Sequence, residues 1–306
     1  MPSTDPLVSI GLPVRNGEKH LQGVVRSVLA QDYHNLELVI SDNASTDGTE
    51  EVCRELARAD SRIVYHRQPE NIGLMNNFVE TMRLASGTFF RWVGDDDWLA
   101  PDWVSRCLEV FAADERLILV TTEIAHRDPD GVMRSASYHG NGLSSGDPVE
   151  RFAEWLRLLN ESYLLMDPMY GLMRRAPIVA IPRRNMLRED QIFAANMALA
   201  GPWGHLPEVL AKRGWKPETR PGLARRLDVP AWQAHAATVL QCREMLRCVR
   251  RAELDPAQRR RARTAIARLY VGRHRRTLAR RGRRVASAAA RLVVARRTPD
   301  GSGQVH

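Results

Sequence analysis

Short apolar runs alternate with helix-patterned segments through the first hundred residues, and this alternation restricts the fold more than any other feature. Residues 7–12 form an apolar run ended by Pro13 and read as a strand. Residues 20–30 place Leu21, Val24, Val25, Val28 and Leu29 at helical spacing. Residues 36–41 predict a second strand, and Asp47-Gly48-Thr49 opens a helix to about residue 59, with Val52, Leu56 and Ala57 on one side. A third strand over 62–66, a third helix over 73–85 and a fourth strand over 88–93 follow. Strands and helices in this order predict a mainly parallel sheet covered on both faces. Such sheets bind ligands at the carboxyl ends of their strands. The notable polar groups fall there: Arg15-Asn16 after the first strand, Asp42-Asn43 after the second, and Gly94-Asp95-Asp96-Asp97 after the fourth.

Downstream, the pattern predicts a helix from about 101 to 113, a strand over 117–122 and a loop or hairpin over 126–148. A helix over 152–160, a strand over 170–174, a helix over 191–200 and a proline-rich linker over 214–230 complete this part. Beyond it the chain is helical in pattern and strongly basic. Forty-five of the 306 residues are Lys or Arg, for a net charge of +9, and the stretch 243–297 is dominated by arginine. The asymmetry points to a folded N-terminal part and a basic helical C-terminal extension. No apolar run reaches the roughly 20 residues of a membrane-spanning helix. The N-terminus carries no basic segment followed by an apolar one, so no secretion signal is expected. Cys53, Cys107, Cys242 and Cys248 make no Cys-x-x-Cys pair. Packed, reduced thiols in a cytoplasmic protein are expected rather than a zinc site.

The acidic triplet is the sharpest chemical signal. Three adjacent carboxylates repel one another unless a cation or full hydration relieves them. Magnesium or manganese takes hard oxygen ligands of this kind together with substrate phosphates. A solvated turn that caps the helix after Pro101 is the plainer alternative. Asp47 suits a helix N-cap. Asp42 has no such simple role and could accept hydrogen bonds from a nucleoside base or ribose.

Several segments together resemble family 2 glycosyltransferases, which have the GT-A fold. They are Leu12-Pro13-Val14-Arg15-Asn16-Gly17-Glu18, the Ser41-to-Thr49 segment, Asn71-Ile72-Gly73 followed by Asn77, and Gly94-Asp95-Asp96-Asp97-Trp98-Leu99-Ala100-Pro101. Weaker likeness continues through residues 170–175, Glu189-Asp190 and residues 206–210. The resemblance implies an α/β GT-A fold with a mixed sheet flanked by helices. It implies a catalytic domain over 1–220, with nucleotide-sugar binding in 1–122 and the acceptor side in 123–220, followed by the basic extension over 221–306. Pro13, Val14 and Asn16 would line the nucleotide pocket, with Glu18 beside the base or ribose and Asp42 on the base. Asn71, Gly73 and Asn77 would border the same pocket. With Pro101 as anchor, Gly94 stands where many members have the first Asp of the family's Asp-x-Asp region. Asp95 would then meet ribose or metal, and Asp96 is the first choice of metal ligand, for Mg2+ or Mn2+. Asp190 would be the general base on the acceptor hydroxyl, and Arg213 would meet the diphosphate.

The implied activity is inverting transfer of one sugar from a nucleotide-diphosphate sugar to a glycan, lipid-linked or small-molecule acceptor. The Gln-x-x-Arg-Trp pattern of processive members is absent, which favours single transfer. A nucleotidyltransferase would carry a Gly-rich, Lys-containing loop after its first strand, and Arg15-Asn16-Gly17-Glu18 is not one. For the arginine tail, packing on the catalytic domain, an oligomer contact and attachment to the inner, anionic face of a membrane stay open. Nucleic-acid binding, with the chain as a non-catalytic scaffold, ranks below them.

Overall fold

In a computed structural model of the chain, residues 5–214 and 218–295 are described, with the side chains of the last helix through Arg275. β1 (Val8–Val14), α1 (Leu21–Leu29), β2 (Leu36–Asp42), α2 (Thr49–Ala59), β3 (Ile63–Arg67), α3 (Leu74–Leu84) and β4 (Phe89–Trp92) follow the predicted alternation. β5 (Trp98–Leu99) and α4 (Trp103–Ala113) lead to β6 (Leu119–Arg127), which turns back into β7 (Met133–Arg134). α5 (Pro148–Leu158), β8 (Leu172–Arg174), α6 (Arg175–Val179), α7 (Glu189–Ala200) and β9 (Trp203–Gly214) come next. α8 (Arg220–Arg226), α9 (Gln233–Arg251) and α10 (Pro256–Ala295) close the chain.

The strands form one sheet in the order β3-β2-β1-β4-β8-β6-β9-β5, with β7 on β6. β3, β2, β1 and β4 are parallel, β8 runs against its neighbours β4 and β6, and β6 and β9 are parallel again. The carboxyl ends of β1, β2, β4, β6 and β9 therefore share one edge of the sheet. Alternate residues feed two cores. Val8, Ile10, Leu12, Leu38 and Ile40 face α1 and α4, whereas Val39, Phe90 and Trp92 face the side of α5, α7, α9 and α10. All four cysteines are free and buried.

Two sequence expectations are corrected. Pro13 does not end β1 but lies inside it, paired with Ser41. Its missing N–H costs nothing there. Gly11 O accepts from Val93 N on the β4 side and Val14 O accepts from Asn43 N on the β2 side. Pro13 shares the parity of Gly11, and the β1–β4 ladder has stopped by then. Residues 206–210 belong to the long strand β9, although Pro207 argues against a strand. The register jumps from Thr122↔Leu206 to Glu123↔Val209, so Pro207 sits in a bulge. The predicted linker contains α8, capped by the Thr219 hydroxyl, which accepts from Gly222 N, with Pro221 in its first turn. Proline is tolerated in a first turn because its missing donor has no partner there anyway.

The basic extension expected from residue 221 shares its core with the rest over its described residues. Met245, Val249, Ala262, Ile266 and Leu269 lie in one cluster with Phe152, Trp155 and Phe193. No described helix is long and apolar enough to cross a membrane.

Candidate active site

The loops after β1 and β2 are laced together before any ligand is considered. Asn16 takes a left-handed conformation (φ 56°), which its short amide side chain tolerates. Its N–H donates to Ser45 Oγ at 2.9 Å, and its Oδ1 accepts from Thr46 N at 2.9 Å. Gly17 N donates to Thr49 Oγ1, and Glu18 accepts from Gly48 N at 3.2 Å. Asp47 is not the N-cap expected of it: Gly48 takes that position, and Asp47, one residue earlier, accepts from Thr49 N in a local turn. Asp42 is fully buried. One of its oxygens accepts from Ser45 N and Oγ, the other from the Tyr65 hydroxyl at 2.9 Å. Burial and the Asp42 carboxylate push that phenol upward.

Asn71 Oδ1 accepts from Asn43 and from Gly73 N, which holds Gly73 at φ 85° ahead of α3. Asn77 is buried, and its amide bonds Ser41 and the Val14 carbonyl. Of the residues expected at the nucleotide pocket, Asn16, Glu18 and Asn71 are exposed, and Pro13 and Gly73 are half-buried. Val14, Asp42 and Asn77 lie beneath them and fix the strand ends.

The triplet is divided by its surroundings. Asp97 is buried, accepts from Gly94 N at 2.8 Å and forms an ion pair with Arg213 Nε at 3.0 Å. Arg213 also donates from NH1 to Asp167 at 2.8 Å and stacks 3.3 Å above the Tyr170 ring. Burial works against the Arg213 charge, but Tyr170, Asp97 and Asp167 outweigh it and raise its pKa. Beneath the turn, Arg91 is fully buried, 4.0 Å from the centre of the Trp103 ring. Burial lowers its pKa to about 10, with Asp97 opposing the shift. Asp95 is half-buried and Asp96 exposed. A Cβ on Gly17 would lie 3.5 Å from Asp95 Oδ2, and one on Gly214 only 2.5 Å from Asp96 Oδ2. The acidic turn is thus seated between the loop after β1 and the end of β9.

A pocket of about 300 Å³ opens on the other side of Gly214. Asp190, Gln191, Asp167 and Arg213 supply its polar wall, and Trp155 and Tyr163 are among its apolar residues. Asp190 sits in the first turn of α7. Its side chain is exposed to solvent, although protein atoms lie close around the carboxyl. This crowding, then the Asp167 and Glu189 charges, raises its pKa to about 6. Solvent contact tempers the first cause, so the two neighbouring carboxylates carry the firmer part of the shift. A carboxyl tuned in this way can exchange a proton near neutral pH.

His205 lies near the start of β9, far from Gly214. Its Nδ1 is 2.9 Å from Thr121 Oγ1, and burial lowers its pKa to about 4 against the pull of Glu123. Arg213, expected at a diphosphate, is engaged by two acids. Sequence reasoning missed Asp167 and Tyr170, which hold Arg213. The only signal for Asp167 was an acid before Pro168 shortly ahead of a strand, which is too common to single it out.

Residues 9–178, more than half of the chain, match the family described as Glycosyl transferase family 2. The chain is 30% identical over 128 residues to glycosyltransferase GlyA of Streptococcus pneumoniae, covering 42% of this chain and 18% of that one. The match therefore spans less than a fifth of that relative's length. The first 349 residues of S. aureus TarS, solved in complex with UDP, superpose with a TM-score of 0.61 at 16% identity, over 85% of this chain and 70% of that one. Mannosyltransferase PcManGT from Pyrobaculum calidifontis, in complex with GDP-Man and Mn2+, gives 0.54 at 15% identity, over 97% and 83%. At these identities the structural likeness is one of fold.

Proposed function

The chain belongs to glycosyl transferase family 2, and on that footing we propose that it moves a single sugar, with inversion, from a nucleotide-diphosphate sugar to a hydroxyl of a glycan, lipid-linked or small-molecule acceptor. One observation carries this reading. Asp190, with its raised pKa, lines the same pocket as Gly214, and Gly214 abuts Asp96 of the acidic turn. A carboxylate in the pocket and an acidic turn on the far side of Gly214 suit a displacement between two bound substrates.

Asp190 takes the proton of the acceptor hydroxyl as its oxygen attacks the anomeric carbon. The new C–O bond forms on the face opposite the donor's glycosyl–phosphate bond, and the electron pair of the breaking bond leaves with the nucleoside diphosphate. Asn16, Glu18 and Asn71 present the exposed polar groups of the nucleotide side, and Asp42 and Asn77 brace them from below.

The donor set of the turn suits a divalent ion. Asp97 is paired with Arg213, and Asp95 and Asp96, half-buried and exposed, would be the hard oxygen ligands for Mg2+ or Mn2+. The described residues contain no group of three or more His, Cys, Asp and Glu able to hold a metal, so donor phosphates and water would complete the shell. When bound, the ion supplies charge neutralisation for the departing diphosphate. The test is thermal stabilisation by nucleoside diphosphates with and without Mn2+. Stabilisation by one nucleotide that requires the metal and is lost in Asp96→Asn is expected. No stabilisation by any nucleotide would overturn the reading.

Exposed Arg260, Arg263 and Arg268 on α10 support a separate proposal, attachment to an anionic membrane surface. Co-sedimentation with anionic but not neutral vesicles is expected, and equal recovery with both would dismiss it.

A further inference from the structure

An aromatic ring lies open in the pocket beside Asp190. Tyr163, in the loop between α5 and β8, lines that pocket and is 52% exposed. Trp155, Leu158, Met166 and Met169 of the same lining are buried. Buried His126 meets the Tyr163 ring in a T-shaped contact, with 5.8 Å between centroids and 78° between planes, so the ring is seated. A single exposed aromatic on a protein surface needs no explanation. One that shares a pocket with the proposed base does, because a half-open ring offers a flat apolar face to whatever enters.

The polar lining disfavours an anionic ligand. Arg213 is shared by Asp97 and Asp167, and Asp190 adds a further carboxylate. Burial, then the Arg213 charge, lowers the pKa of His126, whose neutral imidazole brings no compensating cation at neutral pH. A phosphate or carboxylate entering here would face more negative charge than positive. Gln191 supplies a neutral donor instead. Its oxygen accepts from Gln241 at 2.8 Å and from Arg273 at 2.8 Å. Arginine only donates, which identifies the amide oxygen and leaves the NH2 end for a ligand.

A flat apolar surface together with neutral hydrogen-bonding groups matches a pyranose, which carries C–H groups on its faces and hydroxyls around its edge. The volume, about 300 Å³, lies at the small end of the range of ligand pockets, roughly 300–1,000 Å³, which suits one ring-sized group better than a long acyl chain. We propose that the group receiving the sugar is itself an uncharged sugar ring, and that its apolar face lies on Tyr163. The proposal rests on Asp190 being the base of the transfer reaction. It narrows the acceptor to a glycan, free or lipid-linked, that ends in a neutral sugar.

The probes are the methyl glycosides of glucose, galactose, mannose and N-acetylglucosamine, with glycerol 3-phosphate and hexanol as the charged and aliphatic controls. Saturation-transfer NMR follows each on the full-length protein, first without nucleotide and then with saturating UDP or GDP and Mg2+. At least one glycoside should bind, with saturation strongest at the C–H protons of one ring face. Its apparent affinity should fall about tenfold in Tyr163→Ala and be largely kept in Tyr163→Phe, which retains the flat ring. Tyr163 is exposed, so both variants should fold, and their nucleotide affinity should match the wild type. Three results would overturn the proposal: no glycoside binding, binding that ignores Tyr163→Ala, or stronger binding of either control. The titration without nucleotide still reads the Tyr163 ring if no nucleotide binds, an outcome that sinks the transferase reading alone.

Discussion

Three adjacent aspartates of one sequence motif end in three different environments, and neighbours more than a hundred residues away in sequence make the difference. Asp97 is turned inward to Arg213 and the Gly94 N–H, whereas Asp95 and Asp96 keep contact with the cleft. Arg213 is held by Asp97 of the acidic turn on one side and by Asp167 ahead of β8 on the other, so it ties these two segments together. At Asp190, folding and ionisation oppose each other. Its pKa rises from the ordinary range near 4 to about 6. The stability tied to this proton is complete below the unfolded value and is lost as pH rises through 6. Asp190→Asn should therefore unfold at a higher temperature than the wild type at pH 8, with the difference closing at pH 4. A base must be ionised to act, so kcat/KM of the wild type should climb with pH to a plateau above about 6. The Asn variant should lose about 10²- to 10⁴-fold in kcat with nucleotide affinity kept. A pH profile without an acidic limb near 6, or an active Asn variant, would remove Asp190 from the base role.

Among the elements, β9 does the most to assemble the site. Its bulge at Pro207 lets one strand pair along the full length of β6, and its last two residues, Arg213 and Gly214, stand against the acidic turn and the pocket. Only a residue without a Cβ fits beside Asp96 here, because an added carbon would lie 2.5 Å from its Oδ2. Gly214→Ala should displace the turn and weaken Mn2+-dependent nucleotide binding about tenfold, roughly 1.4 kcal/mol. The thermal transition without ligand should move little, since Gly214 is exposed. Unchanged binding, measured by calorimetry with and without Mn2+, would show that the contact is slack.

Across the whole molecule, the C-terminal helices are part of the catalytic body. α10 buries Ala262, Ala265, Ile266 and Leu269 in the core that also holds Trp155 from α5 and Phe193 from α7. Asp147 at the N-cap of α5 accepts from Arg261, and Arg273 donates to Gln191 beside Asp190. A chain cut before Asp255 would expose these partners, at about 25 cal/mol for each Å² of apolar surface returned to water. Four apolar side chains lost from one core amount to several kcal/mol, comparable to the whole stability of an ordinary domain. The truncated chain should be insoluble or unfold at a much lower temperature by circular dichroism. A truncated protein as stable as the full chain would mean that α10 is a detachable appendage after all.

The sequence by itself determined the parallel half of the sheet, the helices between its strands and the acidic turn at the end of β4. Each depends on local periodicity or on a contiguous motif, and local terms act wherever the chain carries them. Pro13 was misread as the end of a strand because a missing donor matters only when a neighbouring strand needs it, and strand neighbours are a tertiary fact. The pairing of Arg213 with Asp97 and Asp167 was likewise beyond sequence reasoning. Charge acts through distance in space. Only the folded chain decides which carboxylate of a triplet is neutralised, and which carboxylate keeps an ionisable proton near neutrality.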